Sequence, residues 1–98
     1  MDREEVAKIS KALSDPTRLS IYEKIASQPD ATCGVLVEEF SLSPATVSHH
    51  LRVLTQANLI GTRRDGQFVH SCAVLSTLKD YVRALAGIAM RPRNGRKR

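Results

Sequence analysis

Apolar residues recur along this chain at spacings of three and four, broken once by a stretch of alternation, and the pattern predicts five helices and one β-hairpin. Val6, Ile9 and Leu13 mark an amphipathic helix over residues 2–13. Asp15 then caps a second helix with Pro16 at its first position, where a missing N–H costs nothing. Leu19, Tyr22, Ile25 and Ala26 give that helix a broad apolar side, and it ends near Ser27. Gln28 to Ala31, with Pro29 and Asp30, reads as a turn. A short third helix runs from about Thr32 or Cys33 to Phe40, with Cys33, Leu36, Val37 and Phe40 on one face and Glu38 and Glu39 in water. Gly34 weakens its first turn.

Ser43 to Leu54 carries two jobs on two faces. Ser43 is a good N-cap and Pro44 suits the first helical position. Val47, Leu51 and Leu54 fall on one stripe, while Ala45, Ser48, His49, Arg52 and Gln56 point the opposite way. One face packs and the other is free to read a partner. Short or polar side chains near the N-terminus, with a cation further on, suit a helix lying in the major groove of a duplex. His50 lies toward the packing side and reads as structural. Only Ser41, Leu42 and Ser43 separate this helix from the third, the tight connection of a helix-turn-helix.

Leu59 to Arg64 and Gln67 to Cys72 read as two strands joined at Asp65-Gly66, a strong hairpin signal. Such a hairpin is a wing, projecting Arg63, Arg64 and Gln67 from its tip toward a phosphate or a minor groove. A last helix from about Val74 to Met90 alternates Leu75, Leu78, Val82, Leu85 and Ala89, with Tyr81 and Ile88 widening the stripe. A chain of 98 residues covers only part of that face. The seam therefore reads as a subunit interface of a homodimer, with Leu75, Leu78, Tyr81, Val82 and Leu85 from this helix and Val6, Ile9 and Leu13 from the first. The fold class is mainly α with a small β-hairpin, a dimeric winged helix-turn-helix over residues 1–90. RPRNGRKR at 91–98 reads as a disordered basic tail.

The net charge of +5 is unevenly placed. Residues 1–40 carry five Lys/Arg against eight Asp/Glu, residues 41–90 five against two, and 91–98 five against none. A positive second half that contains the reading helix fits a polyanion such as double-stranded DNA, whose counterions are released on binding. With four aromatics and no run of them, stacking on single-stranded RNA is disfavoured. No apolar run approaches the length of a membrane span, and the acidic, amphipathic start is unlike a signal peptide, so the expected compartment is the cytoplasm.

Catalysis finds no support. Neighbouring helical residues such as Ser48 and His49 point about 100° apart, and no Gly-rich turn supplies an oxyanion hole. Cys33 and Cys72 stand 39 residues apart, outside any C-x-x-C arrangement, and in a reducing compartment they rest as thiols. They remain candidates for redox sensing, and no cofactor is called for. A winged helix that binds protein instead of DNA is the alternative reading, and the cations His49, Arg52, Arg63 and Arg64 argue against it.

KALSDPTRLSIYEKI, SLSPATVSHHLRVLTQANLI and RRDGQFVH stand in the order and spacing of the ArsR/SmtB family of bacterial winged-helix repressors, which the chain resembles over roughly residues 6–85. The resemblance implies a homodimer on a nearly palindromic operator, with repression relieved by a signal that the sequence leaves unnamed. It places Pro44, Ala45, Thr46, Ser48, His49 and Arg52 on DNA, with Arg63, Arg64 and Gln67 in the wing. The family's metal sites do not carry over. The positions of its Cys-x-Cys pair hold Thr32 and Gly34, with Cys33 between them. From Val74 onward there is no His or Cys and Asp80 stands alone, so no metal site is expected.

Overall fold

A computed structural model describes residues 1–29 and 31–90. Five helices and three strands follow in the order α1 (Arg3–Ala12), α2 (Pro16–Ser27), β1 (Ala31–Thr32), α3 (Cys33–Phe40), α4 (Pro44–Gln56), β2 (Ile60–Asp65), β3 (Phe68–Ala73) and α5 (Leu75–Met90). The tail assigned to 91–98 lies outside the described residues.

Local chemistry sets most of these boundaries. Asp2 and Glu5 form a reciprocal capping box on α1, with Glu5 N–H donating to Asp2 Oδ1 at 2.8 Å and Asp2 N–H to Glu5 Oε1 at 2.9 Å. Asp15, Thr32 and Ser43 cap α2, α3 and α4 through side-chain oxygens that accept N–H groups of the first turn. Ser41 ends α3 in the left-handed region, φ 53°, which turns the chain sharply into α4.

The core is a single cluster in which Ile21, Leu36, Val47, Leu54, Leu59 and Ile60 are fully buried. It takes one stripe from each of α2, α3 and α4 and closes against the sheet. On α2 the buried stripe is Ile21, Tyr22 and Ile25, whereas Leu19 is 47% exposed and Ala26 lies in solvent. The apolar side expected at Leu19 and Ala26 is therefore rotated, because Ile21 and Ile25 outcompete them for the core. On α4 the stripe runs through Val47, His50 and Leu54, with Leu51 only half-buried.

The sheet has three antiparallel strands in the order β1-β3-β2. β1 occupies the end of the expected turn, its two residues pairing Ala31 with Ser71 and Thr32 with His70. The hairpin itself is shifted by one residue from the Asp65-Gly66 reading. Asp65 pairs with Phe68, so Gly66 and Gln67 make the two-residue turn. Gly66 has φ +63° and Gln67 does not, the arrangement of a turn with glycine at its first central position.

α5 spends only part of its apolar face on its own chain. Leu78 and Tyr81 pack on the core, and Tyr81 OH meets Ser10 Oγ of α1 at 2.8 Å. Val6 and Ile9 are buried within the chain and Leu13 packs against the core. These five residues, expected at a subunit interface, also pack within the chain, Val6 and Ile9 buried and Leu13, Leu78 and Tyr81 half-buried. What α5 leaves open is Leu75 and Val82, each 56% exposed, with Leu85 and Ile88 beside them.

A Cβ at residue 66 would meet no atom within 4 Å, so Gly66→Ala tests backbone conformation alone. We expect it to cost about 1–2 kcal/mol, the penalty of a side chain in the left-handed region, with the midpoint of chemical denaturation falling at unchanged m-value.

Candidate nucleic-acid interface

α4 is fixed at both ends and from behind. At its start Ser43 Oγ accepts the Thr46 N–H at 3.1 Å and donates to Thr46 Oγ1 at 2.9 Å. At its end Asn58, left-handed at φ 59°, donates from Nδ2 to Thr77 Oγ1 of α5 at 3.1 Å. Behind it, Val47 and Leu54 bury apolar side chains on either side of His50, which is 8% exposed.

A residue absent from the sequence-based site holds His50. Arg18, on α2, places Nη1 3.2 Å from His50 Nδ1. Its Nε donates to the Ala12 carbonyl at 2.6 Å and its Nη2 to the Lys11 carbonyl at 3.3 Å. Arginine has no acceptor, so Nδ1 of His50 accepts and the ring proton resides on Nε2. Burial holds His50 below the ordinary histidine pKa, an effect that Asp15 opposes and that Arg18 and His49 reinforce. Asp15 is itself shifted down, chiefly because the Arg18 N–H donates to its carboxylate, at 2.8 Å. The clue in the sequence was the spacing of Asp15 and Arg18, a cap followed three residues later by a cation on a face that otherwise reads as core.

The opposite face of α4 is open. Pro44, Ala45, Thr46, Ser48, His49 and Arg52 are all exposed on this one helix, as the sequence placed them. Among the described residues the ion pairs are Lys24 with Glu39 at 3.5 Å and Arg83 with Asp80 at 3.9 Å, so Arg52, Arg63 and Arg64 have no carboxylate partner. That leaves their charge available to a polyanion.

The wing divides its cations. Arg63 pairs with His70 and Arg64 with Val69, so the two consecutive side chains stand on opposite faces of the ribbon. Arg64 shares its face with Ile60, which enters the core. Arg63 lies on the other face, by a cavity of about 320 Å³ lined by Ile25, Pro29, Cys72 and Leu75. The expected joint projection of both arginines from the tip is thus corrected. Gln67 and the 56% exposed Phe68 occupy the tip instead.

Cys33 begins α3 and Cys72 lies in β3, both half-buried free thiols. Cys33 is one residue beyond Thr32, which pairs with His70, and Cys72 is one residue beyond Ser71, which pairs with Ala31, in the opposite direction. The two thiols thus leave the paired segment in opposite directions. Among the described residues no three His, Cys, Asp or Glu side chains are grouped to hold a metal ion, and no helix is long and apolar enough to cross a membrane.

A helix-turn-helix followed by a hairpin wing, with an unpaired polar and cationic face on the second helix, defines the class of winged helix-turn-helix nucleic-acid-binding domains. Comparison with known proteins bears this out. A helix-turn-helix domain family model matches residues 13–63. The transcriptional repressor SdpR of Bacillus subtilis is 38% identical over 74 residues, covering 76% of this chain and 81% of SdpR. An arsenical resistance operon repressor of Staphylococcus xylosus is 38% identical over 82 residues, covering 84% of this chain and 77% of that protein. The structure of an ArsR-like transcriptional regulator from Rhodococcus superimposes with a TM-score of 0.81 at 24% identity, covering 89% of this chain and 81% of that one. The chain belongs to the ArsR/SmtB family of winged helix-turn-helix transcriptional regulators.

Ser43→Ala removes the acceptor at the start of α4 and should lower stability by about 1 kcal/mol, read as a fall in thermal midpoint. Ser43→Asp, which restores an acceptor at the cap, should recover most of the loss.

Proposed function

We propose that residues 1–90 form a single domain that acts as a homodimeric repressor on a nearly palindromic DNA operator. The observation that carries this reading is the capped, rigidly backed α4 with an exposed face on which Arg52 has no carboxylate partner among the described residues. In this reading Pro44, Ala45, Thr46, Ser48 and His49 approach the major groove with small or polar side chains, and Arg52 reaches a guanine. Thr46 Oγ1 already accepts from Ser43, which leaves its own proton for a DNA acceptor. Arg63, Arg64 and Gln67 contact the backbone beside the groove.

The dimer rests on the uncovered strip of α5. Leu75, Val82, Leu85 and Ile88 are large apolar side chains at helical spacing, each at least 43% exposed. A strip of this kind invites a copy of itself, because a two-fold axis pairs it with an identical apolar strip. Two reading helices related by that axis address half-sites about one helical turn apart, which is why the operator is expected to be nearly palindromic.

Arg52→Ala should weaken binding to DNA from upstream of the protein's own gene by about 1–3 kcal/mol and relax the preference at one base pair, measured by fluorescence anisotropy on single-base variants. Arg64→Ala should weaken all duplexes alike and reduce the salt slope by about one. Equal, salt-sensitive binding of the wild-type protein to operator and scrambled duplexes would refute specific readout. Leu85→Asp should yield a folded monomer by light scattering with much weaker operator binding; an intact dimer would remove α5 from the interface.

A further inference from the structure

Arg18 belongs to no DNA-facing element, yet it is the point at which three helices are joined. It sits in the first turn of α2, its guanidinium reaches the last carbonyls of α1, and the same group holds the back of α4. We propose that Arg18 is a positioning residue for DNA recognition, tying the C-terminal carbonyls of α1 to the neutral imidazole of His50, so that acid loosens the reading helix. The inference deepens the DNA-binding reading and rests on it wherever DNA is the readout.

The geometry makes the tie specific to an arginine. The carbonyl end of a helix carries partial negative charge and favours a cation, and the fork of the guanidinium supplies separate N–H groups to Ala12 O, Lys11 O and His50 Nδ1 at once. A lysine ammonium has the charge but is a compact point donor on a flexible stem, without the planar fork that spans all three acceptors. His50 in turn sits between the fully buried Val47 and Leu54, so no water readily replaces a lost partner on that stripe.

Only neutral His50 completes the tie. A proton on Nδ1 would set an imidazolium N–H against a guanidinium N–H across 3.2 Å. The groups facing His50 are Arg18 and Asp15 from α2 and His49 from its own helix, whose ring centroid is 5.7 Å away. Arg18 and His49 oppose the imidazolium and Asp15 favours it. Because burial lowers the pKa in the fold, the neutral form holds at neutral pH, and its contribution is lost as pH falls below the ordinary histidine value and through the folded one. His49, on the exposed face, is the other imidazole of this helix and is directed outward. The acid response of α4 is therefore read in a His49→Gln background.

Three measurements test the tie: anisotropy on own-promoter and scrambled duplexes, amide exchange over α4, and NMR titration of the His50 ring. Arg18→Lys is expected to lose about tenfold or more in specific affinity near pH 7.5 at unchanged salt slope, with faster exchange in α4. His50→Gln, whose side-chain carbonyl accepts from the guanidinium, should recover most of the affinity that His50→Phe loses. It keeps the test decisive if Arg18→Lys fails to fold. In the His49→Gln background, lowering the pH from about 7.5 to about 5.5 should weaken specific binding severalfold when His50 is present and hardly at all with His50→Gln. Unchanged affinity and α4 exchange in Arg18→Lys overturns the proposal. A salt slope reduced by about one in the neutral variant Arg18→Gln would make Arg18 a phosphate contact and overturns it equally. If the wild type fails to distinguish the duplexes, the DNA reading fails on its own. Exchange and His50 titration still decide the tie, for which higher α4 protection factors, taken relative to intrinsic exchange, with neutral His50 are support and pH-independent protection factors are refutation.

Discussion

Everything on the reading surface depends on how α4 is gripped from its hidden side. A helix of 13 residues has few places to hold it if six outward positions must stay free for a partner. Val47 and Leu54 supply the apolar part of that grip, burying their side chains against α2, α3 and the strands. His50 supplies the polar part, and a buried imidazole is acceptable there because Arg18 satisfies it. Ser43 at the N-cap and Asn58 just past the C-cap then fix the two ends, so the helix is restrained at five residues.

The same economy leaves α5 incomplete. In a chain this small the core is filled by α1, α2, α3, α4 and the sheet, and among the described residues α5 contributes Leu78, Tyr81 and the buried Thr77. Thr77 receives the Asn58 amide, so the helix with the open apolar strip is hydrogen-bonded to the end of the reading helix.

Much of this was legible in the sequence. Asp15-Pro16 and Ser43-Pro44 announced two helix starts, and the outward set from Pro44 to Arg52 followed from counting turns from the second. What escaped did so for identifiable reasons. β1 is two residues long, too short for any periodicity, and exists because β3 offers it an edge. Gly66 serves equally at the second position of one hairpin turn or the first of another, so Asp65-Gly66 fixed a hairpin without fixing its register. Tyr22 and Ile25 turn inward as their spacing suggested, and only the packed fold shows that Ile21 joins them while Leu19 and Ala26 stay exposed. Arg18 was overlooked for another reason, a charge working from the interior side of its helix where periodicity looks for a hydrophobe, marked only by its spacing from Asp15.

Thr32 has a consequence for how force travels through the molecule. It is the last residue of β1, paired with His70 of the wing, and also the cap of α3, its Oγ1 accepting the Val35 N–H at 3.2 Å. No loop lies between the strand and the helix, so there is no hinge at this joint to absorb a displacement. The edge strand of the sheet, α3 and, through the three-residue turn, α4 thus form one run of chain without a loop at its first joint.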